Sequence, residues 1–247
     1  MINQKSTLAL VGLLSAGAIA TSQAGTPMAP PATMTEESSI FSGSISVGYD
    51  TDYIFRGVNL GTDAAWGGVD TNFELAEGLS LNLGAWYINP TGGGRDNDEL
   101  DLYAFLNTSV GDLDLGVGFT SYIFPEAGGD TPEAALTLGY SIGVIDLGVL
   151  YAYDFDAEGS YIENTIGTTI EISDNVALEL GTGISYGVDY YGVDGFNNVF
   201  ARAALPIALT ETLTLSPYIA HSWAIDSLED NGGDDELFGG ASLSVKF

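Results

Sequence analysis

The sequence predicts an all-β chain, a transmembrane antiparallel up-and-down β-barrel of about twelve strands. Three observations predict it. From Phe41 onward, polar and apolar residues alternate with a period of two, so one face of each segment suits lipid and the other suits something polar. The connections sort into short turns and longer loops rich in Gly and Asp. A signal-like segment precedes the pattern, and Phe247 ends it. A soluble sandwich also alternates, but it has no reason to sort its connections by length.

Lys5 is followed by an apolar run from Leu8 to Ala20, and Ser22-Gln23-Ala24 supplies a small-x-small cleavage pattern. Residues 1–24 therefore read as a secretory signal peptide cleaved near Ala24, too short for a spanning helix. Residues 25–40 hold Pro27, Pro30, Pro31, Glu36 and Glu37 without periodicity and read as a flexible periplasmic lead-in. Residues 41–247 form one meander, the barrel domain.

The first four strands are expected over 42–57, 64–76, 79–90 and 99–111, and the next four over 113–124, 133–143, 145–155 and 160–173. The last four are expected over 176–189, 196–209, 213–226 and 236–247. Tight turns at Glu77-Gly78, Gly111-Asp112, Val144, Asp174-Asn175 and Thr210-Glu211-Thr212 join every second pair. The other six connections read as longer loops, among them 90–98, 125–131 and 227–235. Short turns alternating with longer loops is what this strand number requires when both termini lie in the periplasm.

Faces follow from parity. In the ninth strand Val176, Leu178, Leu180, Ile184 and Tyr186 oppose Ala177, Glu179, Gly181, Gly183 and Ser185. In the seventh, Leu147, Val149, Tyr151 and Tyr153 oppose Asp146, Gly148, Ala152 and Asp154, and in the fifth Leu115, Val117 and Phe119 oppose Asp114, Gly116 and Gly118. Trp86-Tyr87, Tyr122, Phe124, Tyr151 to Phe155, Tyr186 to Tyr191 and Trp223 all sit at the loop-proximal ends of strands, which predicts an outer aromatic girdle at the lipid boundary. Frequent glycine suits curved strands and a crowded interior.

The chain carries 34 acidic and 5 basic residues. Nucleic acid is excluded as a partner, because no basic patch exists to neutralise phosphates. Cysteine is absent, so there is neither a disulfide framework nor a thiolate metal site. Turning the aliphatic face to lipid directs the remaining charges inward. The pore-lining candidates are Asp50, Asp52, Arg56, Asp70, Glu74, Asp101, Tyr103, Asp114, Asp146, Glu163, Glu171, Glu179, Arg202 and Tyr218, with Phe105 and Phe200 narrowing the passage. By parity Arg56 shares a strand face with Asp50 and Asp52, and Arg202 lies mid-strand among carboxylates. Rings of acids favour cations, and a low-dielectric wall focuses their field. The expected function is a cation-preferring channel for ions or small solutes in the bacterial outer membrane, with no cofactor. The alternative is a non-conducting structural or adhesive barrel. Expected partners are outer-membrane lipids, and barrel-assembly machinery recognising the last strand through Phe247.

The segment Gly48-Tyr49-Asp50-Thr51-Asp52-Tyr53-Ile54-Phe55-Arg56-Gly57-Val58-Asn59-Leu60 resembles the N-terminal signature of the TorF-like porins, the Gcw_chp family. Asp52-Tyr53, Phe55-Arg56-Gly57 and Asn59 carry the match, and Glu99 to Tyr103, Asp114 to Gly118 and Tyr122 to Pro125 resemble the next strand pair. The resemblance implies an outer-membrane barrel with porin activity and brings no catalytic residue. This chain departs from the family in being unusually acidic and poor in Lys.

Two other chemistries are weighed. A lipid hydrolase on a barrel needs His bonded to a Ser nucleophile. His221 is the single histidine, and Ser222, its neighbour on a strand, points to the opposite face, so the chain is not expected to be an enzyme. Asp230 to Glu236 and Asp96 to Glu99 offer oxygens for calcium but lack the spacing of a calcium loop, so no metal site is expected.

Overall fold

Each strand pairs antiparallel with the one before it, and the last returns to the first. The computed structural model describes residues 41–190 and 192–247, so the expected signal peptide and lead-in lie outside the described residues. The strands are β1 (Phe41–Phe55), β2 (Val58–Ala76), β3 (Leu79–Pro90), β4 (Glu99–Val110), β5 (Leu113–Ile123), β6 (Asp130–Ile142), β7 (Ile145–Asp154), β8 (Gly159–Ser173), β9 (Val176–Tyr190), β10 (Val193–Ala204), β11 (Ile207–Ala208), β12 (Leu213–Ala224) and β13 (Glu236–Lys246). A short helix α1 (Asp226–Asp230) lies in the last loop.

β1 closes the sheet on β13 in a register running from Ser44 opposite Lys246 to Asp50 opposite Gly240. Gly43 and Phe247 exchange both backbone hydrogen bonds at 3.0 Å. Closure leaves no free sheet edge, the condition for a β-structure in lipid. β10 and β11 are two pieces of one strand, since both pair with β9 and β12. Pro206, which has no N–H to donate, interrupts it, while the Pro206 carbonyl still accepts from Ala177 N at 3.2 Å. The barrel is therefore twelve-stranded.

Two expectations about the connections are corrected. The β1–β2 connection is a two-residue turn in which Arg56 (φ 50°) and Gly57 (φ 83°) are both left-handed, as a tight hairpin turn requires. β2 starts at Val58, not at 64, and β10 starts at Val193, not at 196. Beyond a lipid belt both faces of a strand meet water or loops, so polar residues occupy both and the period of two disappears from the sequence although pairing continues. The strands accordingly run long at the end away from the termini, the loop end.

Ile45, Val47, Val117, Leu136, Leu138 and Leu243 stand exposed on the outer surface, one face of each strand. The girdle expectation holds for Tyr87, Tyr151, Phe155 and Trp223, which are exposed. It fails for Trp86, Tyr122 and Tyr190, which are buried inside the barrel, while Tyr191 lies outside the described residues. Adjacent strand residues face opposite ways, so Trp86-Tyr87 contributes one ring to each side.

The interior is packed with rings set against glycines. Trp66 lies opposite Gly48, Tyr103 opposite Gly84, Phe105 opposite Gly118 and Phe200 opposite Gly183. A Cβ at Gly84 would come within 2.1 Å of the Tyr103 ring, and one at Gly118 within 2.3 Å of Phe105. Each ring folds flat across a neighbouring backbone that lacks a side chain, and rings fill the space without splaying the strands. Tyr53, Trp86, Ile88, Tyr103, Phe105, Tyr161 and Tyr190 join in one buried cluster.

Candidate functional site

The interior divides into three levels along its axis. At the loop end, the β1–β2 turn drops the Arg56 side chain into the barrel, where it is only 3 % exposed. Arg56 Nη2 meets the Glu133 carboxylate of β6 at 2.7 Å, and Nη1 donates to the Tyr190 hydroxyl of β9 at 2.6 Å. The guanidinium also lies over the Tyr161 ring of β8, 4.4 Å from its centroid. One side chain thus ties β1 to strands on the far wall, through a planar cation suited to both a carboxylate and a ring face. Burial works against the charge of Arg56, but the Glu133 carboxylate together with Tyr190, Tyr122 and Tyr161 outweighs it and favours the protonated guanidinium. Asn197 donates to the Arg56 carbonyl at 2.6 Å and fixes the turn.

Around this ion pair Tyr122 donates to Glu133 Oε1 at 3.2 Å, Tyr53 to Glu99 Oε1 at 2.7 Å and Tyr161 to Glu163 Oε2 at 3.0 Å. Asn198 is held between Ser185 and Ser222, donating to Ser222 at 2.8 Å. Tyr53, Asp101, Tyr161, Asn198, Phe200 and Ser222 are each 0 % exposed. This level forms a plug across the barrel.

Below the plug, Tyr218 donates to Asp50 at 2.7 Å and carries the Arg202 guanidinium 4.4 Å from its ring centroid. Tyr103 donates to Asp70. Toward the termini, Ser109 donates to Asp114 at 2.5 Å and Ser141 to Asp146 at 2.6 Å, where both acids are half-buried. Above the plug lies a cavity of about 610 Å³, with Arg56, Glu99, Tyr122, Glu133 and Tyr190 among its lining residues.

The sequence-derived residues distribute over these levels. Asp50, Arg56, Asp101, Tyr103 and Glu163 are buried inside the barrel. Asp52, Asp70, Glu74, Asp114, Asp146, Glu179, Arg202 and Tyr218 are half-buried, and Glu171 is exposed near the β8–β9 turn. Arg56 does not share a strand face with Asp50 and Asp52: a register shift between Tyr53 and Ile54 breaks the parity, and Arg56 belongs to the turn. His221 stacks on Trp223 at 4.3 Å, whereas Ser222 is buried on the inner face, so the two do not form a pair. No group of acids among the described residues is arranged to hold a metal ion. Strand reading missed the inner roles of Glu133, Glu99, Tyr53, Tyr161 and Asn198. Glu133 had a signal, since Ala135, Thr137 and Gly139 share its parity and mark that face as inward.

A family model described as a bacterial protein of unknown function (Gcw_chp) matches residues 34–179, more than half of the chain. No curated protein sequence matches. Among solved structures, the fold is similar to an outer membrane channel (COG4313) from Pseudomonas putida F1, with 11 % identity, TM-score 0.53, and coverage of 87 % of this chain and 100 % of that one. It is similar to the NanC porin, with 11 % identity, TM-score 0.52, and coverage of 83 % and 98 %. It is also similar to the KdgM porin, with 9 % identity, TM-score 0.54, and coverage of 83 % and 99 %. At such identities the likeness establishes a shared barrel fold.

Proposed function

The chain belongs to the Gcw_chp family, and on that premise we propose that it is a porin-like channel of the bacterial outer membrane, closed at rest and cation-preferring when open. The observation that carries this reading is the charge balance of the inner wall. Asp50, Asp70, Glu99, Asp101, Glu133, Asp154, Glu163 and Glu179 face inward, against Arg56 and Arg202. Such an excess of carboxylates inside a low-dielectric wall attracts cations and repels anions. The exposed aliphatic outer face fits acyl chains, and the fold is one that outer-membrane channels use.

The Arg56–Glu133 plug is the resting gate, and passage requires the β1–β2 turn to lift its guanidinium away. The fully buried plug residues favour a second reading, a non-conducting structural barrel. Planar-bilayer recording of the wild type and of Arg56→Ala, under a salt gradient, separates the two. The channel reading expects rare openings in the wild type, more frequent ones in the variant, and a reversal potential on the cation side. Absence of current in both supports the structural barrel, and an anion-side potential overturns the assignment of the lumen.

A further inference from the structure

The cavity above the plug is a partly open space floored by the plug and walled by loops. The β1–β2 turn, the ends of β4, β6 and β7, and the loop holding α1 line its volume of about 610 Å³. That volume falls within the roughly 300–1,000 Å³ of small-molecule sites. Its floor is buried: Glu99, Glu133 and Asp154 are 2–3 % exposed. Glu99 is held by the Tyr53 hydroxyl, and Asp154 accepts the backbone N–H groups of Asp156 and Ala157 at 2.9 Å.

Its chemistry points one way. Carboxylates of Glu99, Glu133, Asp154, Asp234 and Glu236 line the cavity, and among the described residues the one basic lining residue is Arg56. That guanidinium is already matched by Glu133 and laid against the Tyr161 ring, so it does not offer a free charge to an anion. Both Glu133 oxygens lie against Arg56 Nη2, at 2.7 and 2.9 Å, so the acids left to a ligand are Glu99, Asp154, Asp234 and Glu236. Phe55, Tyr122 and Phe124 add aromatic surface to the same wall. Acids beside ring faces are the combination that selects an ammonium group over an alcohol or an acid.

We propose that this cavity is a binding site for an organic ammonium ion carrying an apolar body. The ammonium group sits by Glu99 and Asp154, and the apolar body lies against Tyr122 and Phe124. Acidic sugars are excluded by the same carboxylates. The site takes from the channel reading only that the loop end meets solutes, and it does not require current.

The test is isothermal titration calorimetry on the purified barrel in low-salt detergent buffer. The probes are 2-phenylethylammonium, its neutral counterpart 2-phenylethanol, and galacturonate. The expected result is saturable binding of the ammonium probe, at least about tenfold weaker binding of the alcohol, and none of galacturonate. Glu99→Gln with Asp154→Asn should weaken the ammonium probe by about tenfold or more. If that pair does not fold, Asp234→Asn with Glu236→Gln at the rim should weaken it about threefold. Equal binding of alcohol and ammonium, binding of galacturonate, or affinity unchanged in the variant that folds would each overturn the proposal. Binding without conductance leaves the site standing while the channel reading falls, and conductance without binding does the reverse.

Discussion

Breaking the Arg56–Glu133 pair from both sides should cost no more than the costlier one-sided break, well short of the sum of the two. Arg56→Ala leaves Glu133, 3 % exposed, with only the long Tyr122 hydrogen bond to support its charge. It also removes the 2.6 Å bond to Tyr190 and the stack over Tyr161. An uncompensated buried charge costs about 3–5 kcal/mol. Glu133→Gln strands the guanidinium instead and should cost about the same. The double variant buries no lone charge, so its loss should be no worse than that of the costlier single change. The cycle then yields a coupling of at least about 2 kcal/mol. Equilibrium unfolding in guanidinium chloride of the four proteins, refolded into one detergent, measures it. Additivity within about 0.5 kcal/mol would refute the reasoning, because independent sites behave that way.

Gly84→Ala should destabilise the barrel by about 1–3 kcal/mol, since its Cβ would lie 2.1 Å from the Tyr103 ring and force it off Asp70; unfolding midpoints in the same detergent report this. Gly57→Ala should cost about 1–2 kcal/mol, because φ is +83° and the Cβ would meet Leu228 of α1 at 2.8 Å, with proteolysis of the α1 loop as a second readout. His221→Ala removes a ring stacked on Trp223 outside the barrel and should leave ion selectivity and phospholipid release unchanged from wild type; loss of a lipase activity on this change would reinstate the hydrolase. For the open channel, the reversal potential under a fixed gradient should shrink as mean salt rises from 0.1 M to 1 M, since the screening length falls from about 10 Å to about 3 Å; a salt-independent potential would argue against selectivity by the wall carboxylates.

Much of the architecture was legible because a barrel wall is a repeated local rule. Each strand of the lipid belt alternates, so Val117 and Leu136 outside, and Asp50 and Asp146 inside, follow from parity alone. The turns at Glu77-Gly78, Gly111-Asp112 and Asp174-Asn175 were equally plain, since a short polar pair between two apolar runs leaves no other reading. Parity stopped being informative where the lipid stops. The β1–β2 turn and the first residues of β2 lie beyond the belt, and a register shift at Tyr53 and Ile54 reverses the expected faces there.

By itself the sequence determined the closed all-β wall, its acidic character and which residues alternate inward. Those properties depend on neighbours along the chain and on the contrast between lipid and water. Only the tertiary structure decided that the interior is blocked and by what. Arg56 meets Glu133 seventy-seven positions away and Tyr190 a hundred and thirty-four away, distances over which no periodicity carries information. Whether inward side chains line a passage or fill it depends on how far each reaches across the axis. That reach is set by barrel diameter and by rings lying flat over glycines on neighbouring strands, and both exist only once the sheet has closed.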